Sequence, residues 1–184
     1  MTNLYRSALS ELGTVFDRID DAGVDKACDM IGKARKIVVF GGGRERLQIM
    51  GFAMRLYHMG LAVAVEGDMT TPPVGKGDLL VVTCGPGEIS TALALMGVAK
   101  AAGAKILFVT AQVQSRGAAL ADFVLLLPAQ TMADDQGAKR TSVLPMGSLF
   151  EGALFILFEV MVLKLIKSLN IGSEAMRANH TNLE

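Results

Sequence analysis

The chain has 184 residues, 51% of them hydrophobic and 20% charged, which suits one domain with a substantial core and excludes a disordered chain. Eighteen basic residues balance eighteen acidic ones, so no electrostatic footprint for nucleic acid is present, and two Tyr and no Trp supply no aromatic platform for base stacking. Twenty glycines and an aliphatic core point instead to an α/β protein with many turns.

Residues 2–20 place Leu4, Ala8, Leu12, Val15, Phe16 and Ile19 at helical spacing, without the basic segment and continuous apolar run of a secretory signal. Ala27, Met30, Ile31 and Ala34 predict a second helix. The β-branched run 36–40 then predicts a strand that ends in Gly41-Gly42-Gly43, and Leu47, Met50, Met54, Leu56 and Tyr57 resume helical spacing up to Gly60. A second strand is expected over 61–65, a third over 78–84, a helix over 90–102, a fourth strand over 104–109, a short helix over 115–121 and a fifth strand over 123–127. Strands alternating with helical segments imply crossover connections, hence a five-stranded parallel sheet between two helical layers: a three-layer α-β-α sandwich.

Residues 128–146 form the longest irregular stretch, a length usually tied to function or mobility. A long helix is expected over about 148–169, followed by a polar tail. Its apolar stretch is interrupted by Glu151, Glu159 and Lys164, which favours burial between the sheet and another subunit over a membrane span. The whole chain, 1–184, reads as one domain, with N-terminal helices over about 2–34 and a C-terminal helix plus tail over about 148–184. Cys28 and Cys84 are expected as reduced thiols, and the protein is expected in the cytoplasm without a nucleic-acid or membrane partner.

Ligands of open parallel sheets bind beyond the carboxyl ends of the strands, where loops feed helix N-termini. Two loops fit: Gly41-Gly42-Gly43-Arg44-Glu45-Arg46 and Cys84-Gly85-Pro86-Gly87-Glu88. Gly41, Gly43 and the later Glu66 suggest a dinucleotide fingerprint, but Arg46 stands where its third glycine would allow close helix packing.

The order of these features resembles the sugar isomerase (SIS) domain family, and within it the 6-phospho-3-hexuloisomerases. The resemblance rests on Phe40-Gly41-Gly42-Gly43-Arg44, residues 52–60 (FAMRLYHMG), Thr70-Thr71-Pro72, Gly75-Lys76-Gly77-Asp78, residues 144–151 (LPMGSLFE) and the terminal Asn182-Leu183-Glu184 with His180 nearby. It implies an aldose–ketose isomerase that acts on a phosphorylated or otherwise anionic sugar through an enediol(ate), as a dimer or tetramer, with neither metal nor organic cofactor. The family's phosphate loop after the third strand reads Ser-Gly-Ser-Gly with further hydroxyls. Here Cys84 and Pro86 replace the serines and Ile89 the next hydroxyl, leaving Ser90 and Thr91, and Pro86 has no N–H to donate. Glu45 stands where the family has a serine, and its charge opposes a phosphate unless Arg44 or Arg46 offsets it. This depletion motivates a second reading, a non-catalytic or regulatory module that binds a sugar phosphate.

Glu151 is the candidate base, because one carboxylate near two adjacent carbons can make both proton transfers of an enediol isomerisation. Spacing alone favours another role: Ser148-Leu149-Phe150-Glu151 is a capping-box sequence. The resemblance reverses that preference. It also implies a catalytic role for His180, from a neighbouring subunit in similar isomerases, against the plain reading of a solvated tail residue. His58, near a helix C-terminus, is a further candidate with a structural alternative. The candidate substrate contacts are Gly42, Gly43, Arg44, Thr70, Thr71, Cys84, Gly85, Gly87, Ser90 and Thr91.

Overall fold

The computed structural model describes residues 3–183; the expected helix start at Thr2 and the terminal Glu184 lie outside them. Two helices lead, α1 (Leu4–Phe16) and α2 (Asp21–Lys33), and the Asn3 side chain accepts the Arg6 N–H at 3.2 Å to cap the first. Then follow β1 (Ile37–Gly41), α3 (Glu45–His58), β2 (Val63–Val65), β3 (Leu79–Thr83), α4 (Ser90–Ala101), β4 (Lys105–Thr110), α5 (Arg116–Leu120) and β5 (Phe123–Leu126). The long helix α6 (Ser148–Ser168) and a short α7 (Ser173–Ala178) end the chain. α7 gives the C-terminal tail a helical turn that its polar sequence had not suggested.

All five strands are parallel, in the order β2-β1-β3-β4-β5. Their continuous apolar runs are explained by the period of two in a strand. Ile37, Val39, Leu79, Val81, Leu107 and Val109 face the layer built by α2, α3 and α6, whereas Val38, Phe40, Leu80, Val82, Ile106 and Phe108 face α4. The sheet is therefore buried on both sides, as the sequence predicts for a three-layer sandwich.

α6 is the hub of the larger layer and packs on α1, α2 and α3. Spacing supplies the reason: Phe150, Ala153, Leu154, Leu157, Phe158, Met161, Val162 and Leu165 recur at three- and four-residue intervals and are buried. Phe158 stacks on Phe52 of α3 with ring centroids 4.5 Å apart and planes 7° from parallel. The helix's charges meet partners along its sides. Glu159 faces Arg55 at 3.6 Å, and Lys164 bridges Asp21 and Asp25 at 2.9 and 2.7 Å. No described helix is long and apolar enough to cross a membrane.

The irregular stretch before α6 is held by its own polar side chains. Gln130 donates to the carbonyls of Asp134 and Lys139 and accepts the Thr141 and Ser142 N–H groups. Glu11 of α1 accepts the Ser142 hydroxyl and the Val143 N–H. These bonds fix where α6 begins.

Because Phe158 fills the α3–α6 contact, Phe158→Ala should lower unfolding free energy by about 3–5 kcal/mol, the range for a buried aromatic truncation. Urea unfolding with an unchanged slope checks this. A loss below about 1 kcal/mol would mean that α3 and α6 are not locked together by this ring pair.

Candidate active site

The strand order reverses between β1 and β3: the chain leaves β1 towards β2 on one side and β3 towards β4 on the other. The loops that follow these two strands part there and leave a crevice at the carboxyl edge of the sheet. A cleft of about 350 Å³ occupies it, within the size range of small-molecule sites. The loop after β1 supplies Gly42, Gly43, Arg44 and Glu45, the loop after β3 supplies Cys84, Pro86 and Ile89, and α6 with its approach supplies Gly147, Phe150 and Glu151.

Gly147, with φ of 79°, caps α6 in the left-handed region and presses on the chain at Met132, where a Cβ would stand 2.7 Å from the Met132 nitrogen. Ser148 is thus the first helical residue, and no side-chain cap bond forms. The capping-box reading of Glu151 therefore does not hold. Its carboxylate turns into the cleft instead, with Oε2 at 3.1 Å from Arg44 Nε. Arg44 also donates from Nη1 to the Ser148 hydroxyl at 3.1 Å and from Nη2 to the Met146 carbonyl. One guanidinium so ties the start of α3 to the start of α6. Burial pushes the Glu151 carboxyl above its ordinary range, and Arg44 pulls in the opposite direction.

Glu45, the first residue of α3, points at the other loop. Its Oε1 accepts the Gly85 N–H at 2.9 Å. Gly85 has no side chain because Phe150 and Thr131 press on it, both 3.0 Å from where a Cβ would stand. Burial above all pushes the Glu45 carboxyl up to about 7; the Gly85 N–H and the neighbouring Thr83 hydroxyl oppose the shift, and the charge of Glu151 adds to it. The Thr83 contact is loose: neither Glu45 Oε2 nor Thr83 Oγ1 reaches hydrogen-bond geometry with a partner among the described residues. Burial and Glu45 push the Cys84 thiol up to about 12, so Cys84 is a neutral, small wall of the cleft.

Of the residues expected from the sequence, the structure brings Gly42, Gly43, Arg44, Cys84 and Glu151 to the cleft, with Gly85 behind them on Glu45. Thr70 and Thr71 stand elsewhere: the Thr71 hydroxyl is spent on the carbonyls of Val65 and Asp68, both at 2.7 Å, in the turn after β2. Gly87 turns away towards Ser115 and Gln112, and Ser90 and Thr91 lie exposed in the first turn of α4, outside the lining. His180 and His58 are together, with ring centroids 5.0 Å apart, in a second hollow shared with Arg55, Met176 and Arg177. That hollow sits at the far end of the 14-residue α3, about 20 Å along its axis from Glu45. Within one chain, then, His180 and Glu151 do not meet. Sequence reasoning did not single out Thr131, Met132, Met146 and Phe150 as lining residues; the length of the 128–146 stretch was a signal for the first three, and the family-like segment 144–151 held the last two. Among the described residues no cluster of three or more His, Cys, Asp or Glu is arranged to hold a metal ion.

No family model matches the chain. It is 32% identical over its full length to the 3-hexulose-6-phosphate isomerase of Bacillus subtilis, covering 98% of that protein, and 33% identical to that of Methylomonas aminofaciens, with complete coverage of both. The chain belongs to the 3-hexulose-6-phosphate isomerase family. Among solved structures, a Methanococcus jannaschii protein for which 3-hexulose-6-phosphate isomerase function was inferred superposes with a TM-score of 0.84 at 27% identity, over 98% of each chain. Membership makes this protein an isomerase with the SIS fold, in agreement with the resemblance read from its loops.

The raised Glu45 carboxyl has a consequence for stability. The folded protein holds this proton up to about pH 7, whereas an unfolded chain releases it near 4.5, so the contribution of Glu45 to native stability is fully present below 4.5 and is lost as pH rises through about 7. Glu45→Gln removes that loss. The stability advantage of the variant over the wild type should widen by up to ~3 kcal/mol between pH 4.5 and pH 8, read by urea unfolding at a series of pH values. Parallel curves would show that Glu45 ionises normally.

Proposed function

We propose that the cleft isomerises 3-hexulose 6-phosphate, or a closely similar sugar phosphate, by moving its carbonyl group to a neighbouring carbon through an enediolate, with Glu151 as the base. The observation that carries the reading is a partly buried carboxylate at the sheet's switch point, oriented by Arg44 at 3.1 Å. In the forward step Glu151 takes the proton from the carbon next to the carbonyl. The C–H electrons form the C=C bond and the carbonyl electrons move to its oxygen, which is protonated. The adjacent hydroxyl then loses its proton, the carbonyl re-forms there, and Glu151 returns its proton to the former carbonyl carbon. This is the chemistry of aldose–ketose interconversion, and a 3-hexulose presents its carbonyl between two carbinol carbons to the same sequence. Arg44, with the Gly42 and Gly43 backbone, is assigned to the ligand's oxygens. A module that only binds sugar has no need of a carboxylate held above its ordinary range, and the isomerase reading is the better supported.

Glu151→Gln keeps the shape and removes the base. Turnover of 3-hexulose 6-phosphate and solvent-deuterium incorporation at the adjacent carbon should fall together by about 10²- to 10⁴-fold. Undiminished exchange in this variant would remove Glu151 from the reaction.

A homo-oligomer completes the proposal. Leu47, Met50, Met54 and Tyr57 form an exposed apolar stripe along α3, at the three- and four-residue spacing of one helix face. A second copy packed antiparallel on that stripe sets the histidine pair of one chain against the cleft of the other, and His180 is assigned to assist sugar ring opening across such a boundary. Mixing Glu151→Gln with His180→Ala, each impaired alone, should raise turnover above that of either variant through mixed oligomers. No recovery from co-refolded subunits that light scattering shows to be mixed would confine the site to one chain.

A further inference from the structure

Backbone N–H groups in the loop after a strand of a parallel sheet are the general means of holding an anion. Across Cys84–Gly87, the first four residues after β3, they are spent on backbone carbonyls or absent, with one exception. Cys84 N–H donates to the Val109 carbonyl and Gly87 N–H to the Cys84 carbonyl, both at 3.0 Å, and Pro86 has none. Gly85 N–H is the exception: its acceptor is a side chain, the carboxyl group of Glu45. We propose that Glu45 sets the ligand specificity of this cleft as an internal anion, occupying the Gly85 amide in place of a ligand phosphate and admitting that phosphate only when it carries a proton.

The surrounding charges support this assignment. From α3, Arg44 is engaged by Glu151, and Arg46 turns away to Glu66, donating to its carbonyl at 2.7 Å and facing its carboxylate at 3.6 Å. From β3 comes the Thr83 hydroxyl, and from the loop after it the neutral Cys84 thiol. α6 contributes the Glu151 carboxylate, and Asp134 beyond Thr131 is bound by Gln112 at 3.1 Å. Among the described residues lining the cleft, Arg44 is the one cation and Glu45 and Glu151 are the two acids. With both acids ionised the cleft is net negative and repels a phosphate; with a proton on Glu45 it is neutral. A carboxyl pushed up to about 7 makes that change near neutral pH.

The inference rests on the sugar-phosphate isomerase reading, and two measurements separate the fates of the two. The first is KM for 3-hexulose 6-phosphate; the second is the affinity of inorganic phosphate by calorimetry, each followed from about pH 6 to about pH 8.5 for the wild type, Glu45→Gln and Glu45→Ser. Phosphate's own second ionisation affects all three proteins alike, so the difference between curves isolates residue 45. Wild-type phosphate affinity should fall about tenfold more across this range than that of Glu45→Gln. Glu45→Ser, which vacates the Gly85 amide, should bind phosphate more tightly than the wild type at pH 8 and lower KM with it. Parallel curves for wild type and Glu45→Gln would overturn the proposal, as would a fall in kcat with KM and phosphate affinity unchanged, since Glu45 would then act in the chemical step. The isosteric Glu45→Gln carries the test if the serine variant does not fold. If phosphate binding behaves as expected while no sugar phosphate turns over, Glu45's role stands and the isomerase reading falls.

Discussion

Two carboxyl groups line one cleft with a single guanidinium that pairs with only one of them, and most of what is distinctive here depends on that constraint. Arg44 reaches Glu151 but not Glu45, so the two acids experience different fields although they line the same space. An ion pair whose arginine is half exposed contributes at most about 1 kcal/mol to stability. Its weight is therefore geometric: it fixes the Glu151 side chain relative to the loop after β1. Glu45 has no such partner, and the free-energy cost of ionising it is the larger quantity by a factor of about three. A fold that carries such a cost where its strands diverge has the pattern expected of a functional site rather than of a structural ion pair.

The architecture explains why these groups converge. A parallel sheet buried on both faces places its loops at the carboxyl edge, and the reversal of strand order opens a gap between the loops after β1 and β3. α6 then determines which acid enters the gap. Its apolar face packs on α1, α2 and α3, and the left-handed Gly147 sets where the first turn starts. Together they aim Glu151 inward. The stretch before α6 is irregular in backbone but closed by Gln130 and Glu11, so the start of the helix is positioned by hydrogen bonds rather than by chain length.

α3 separates the molecule's two collections of ionisable groups. The acids sit at its beginning, and the two histidines with Arg55 and Arg177 sit at its end. A straight helix cannot bring its own ends together, which is why chemistry needing both would have to recruit them from different chains. The apolar stripe running between them along the exposed face of α3 is consistent with that need.

What the sequence by itself determined was local or periodic. Apolar runs marked the strands, most clearly the central β1, β3 and β4, whose burial on both faces leaves no room for polar alternation, and the glycine loops marked the ends of β1 and β3. The approach to α6 marked Glu151 through the resemblance. The tertiary structure decided what depends on distance. It turned Glu151 away from its own helix end towards Arg44, sent Glu45 to the Gly85 amide 40 residues along the chain, spent the Thr71 hydroxyl on its own turn, and put His180 beside His58 instead of Glu151. Spacing in sequence reports which face of an element a residue occupies; strand register and helix packing decide which face it meets, and the balance of burial against charge at that meeting decides which group keeps its proton.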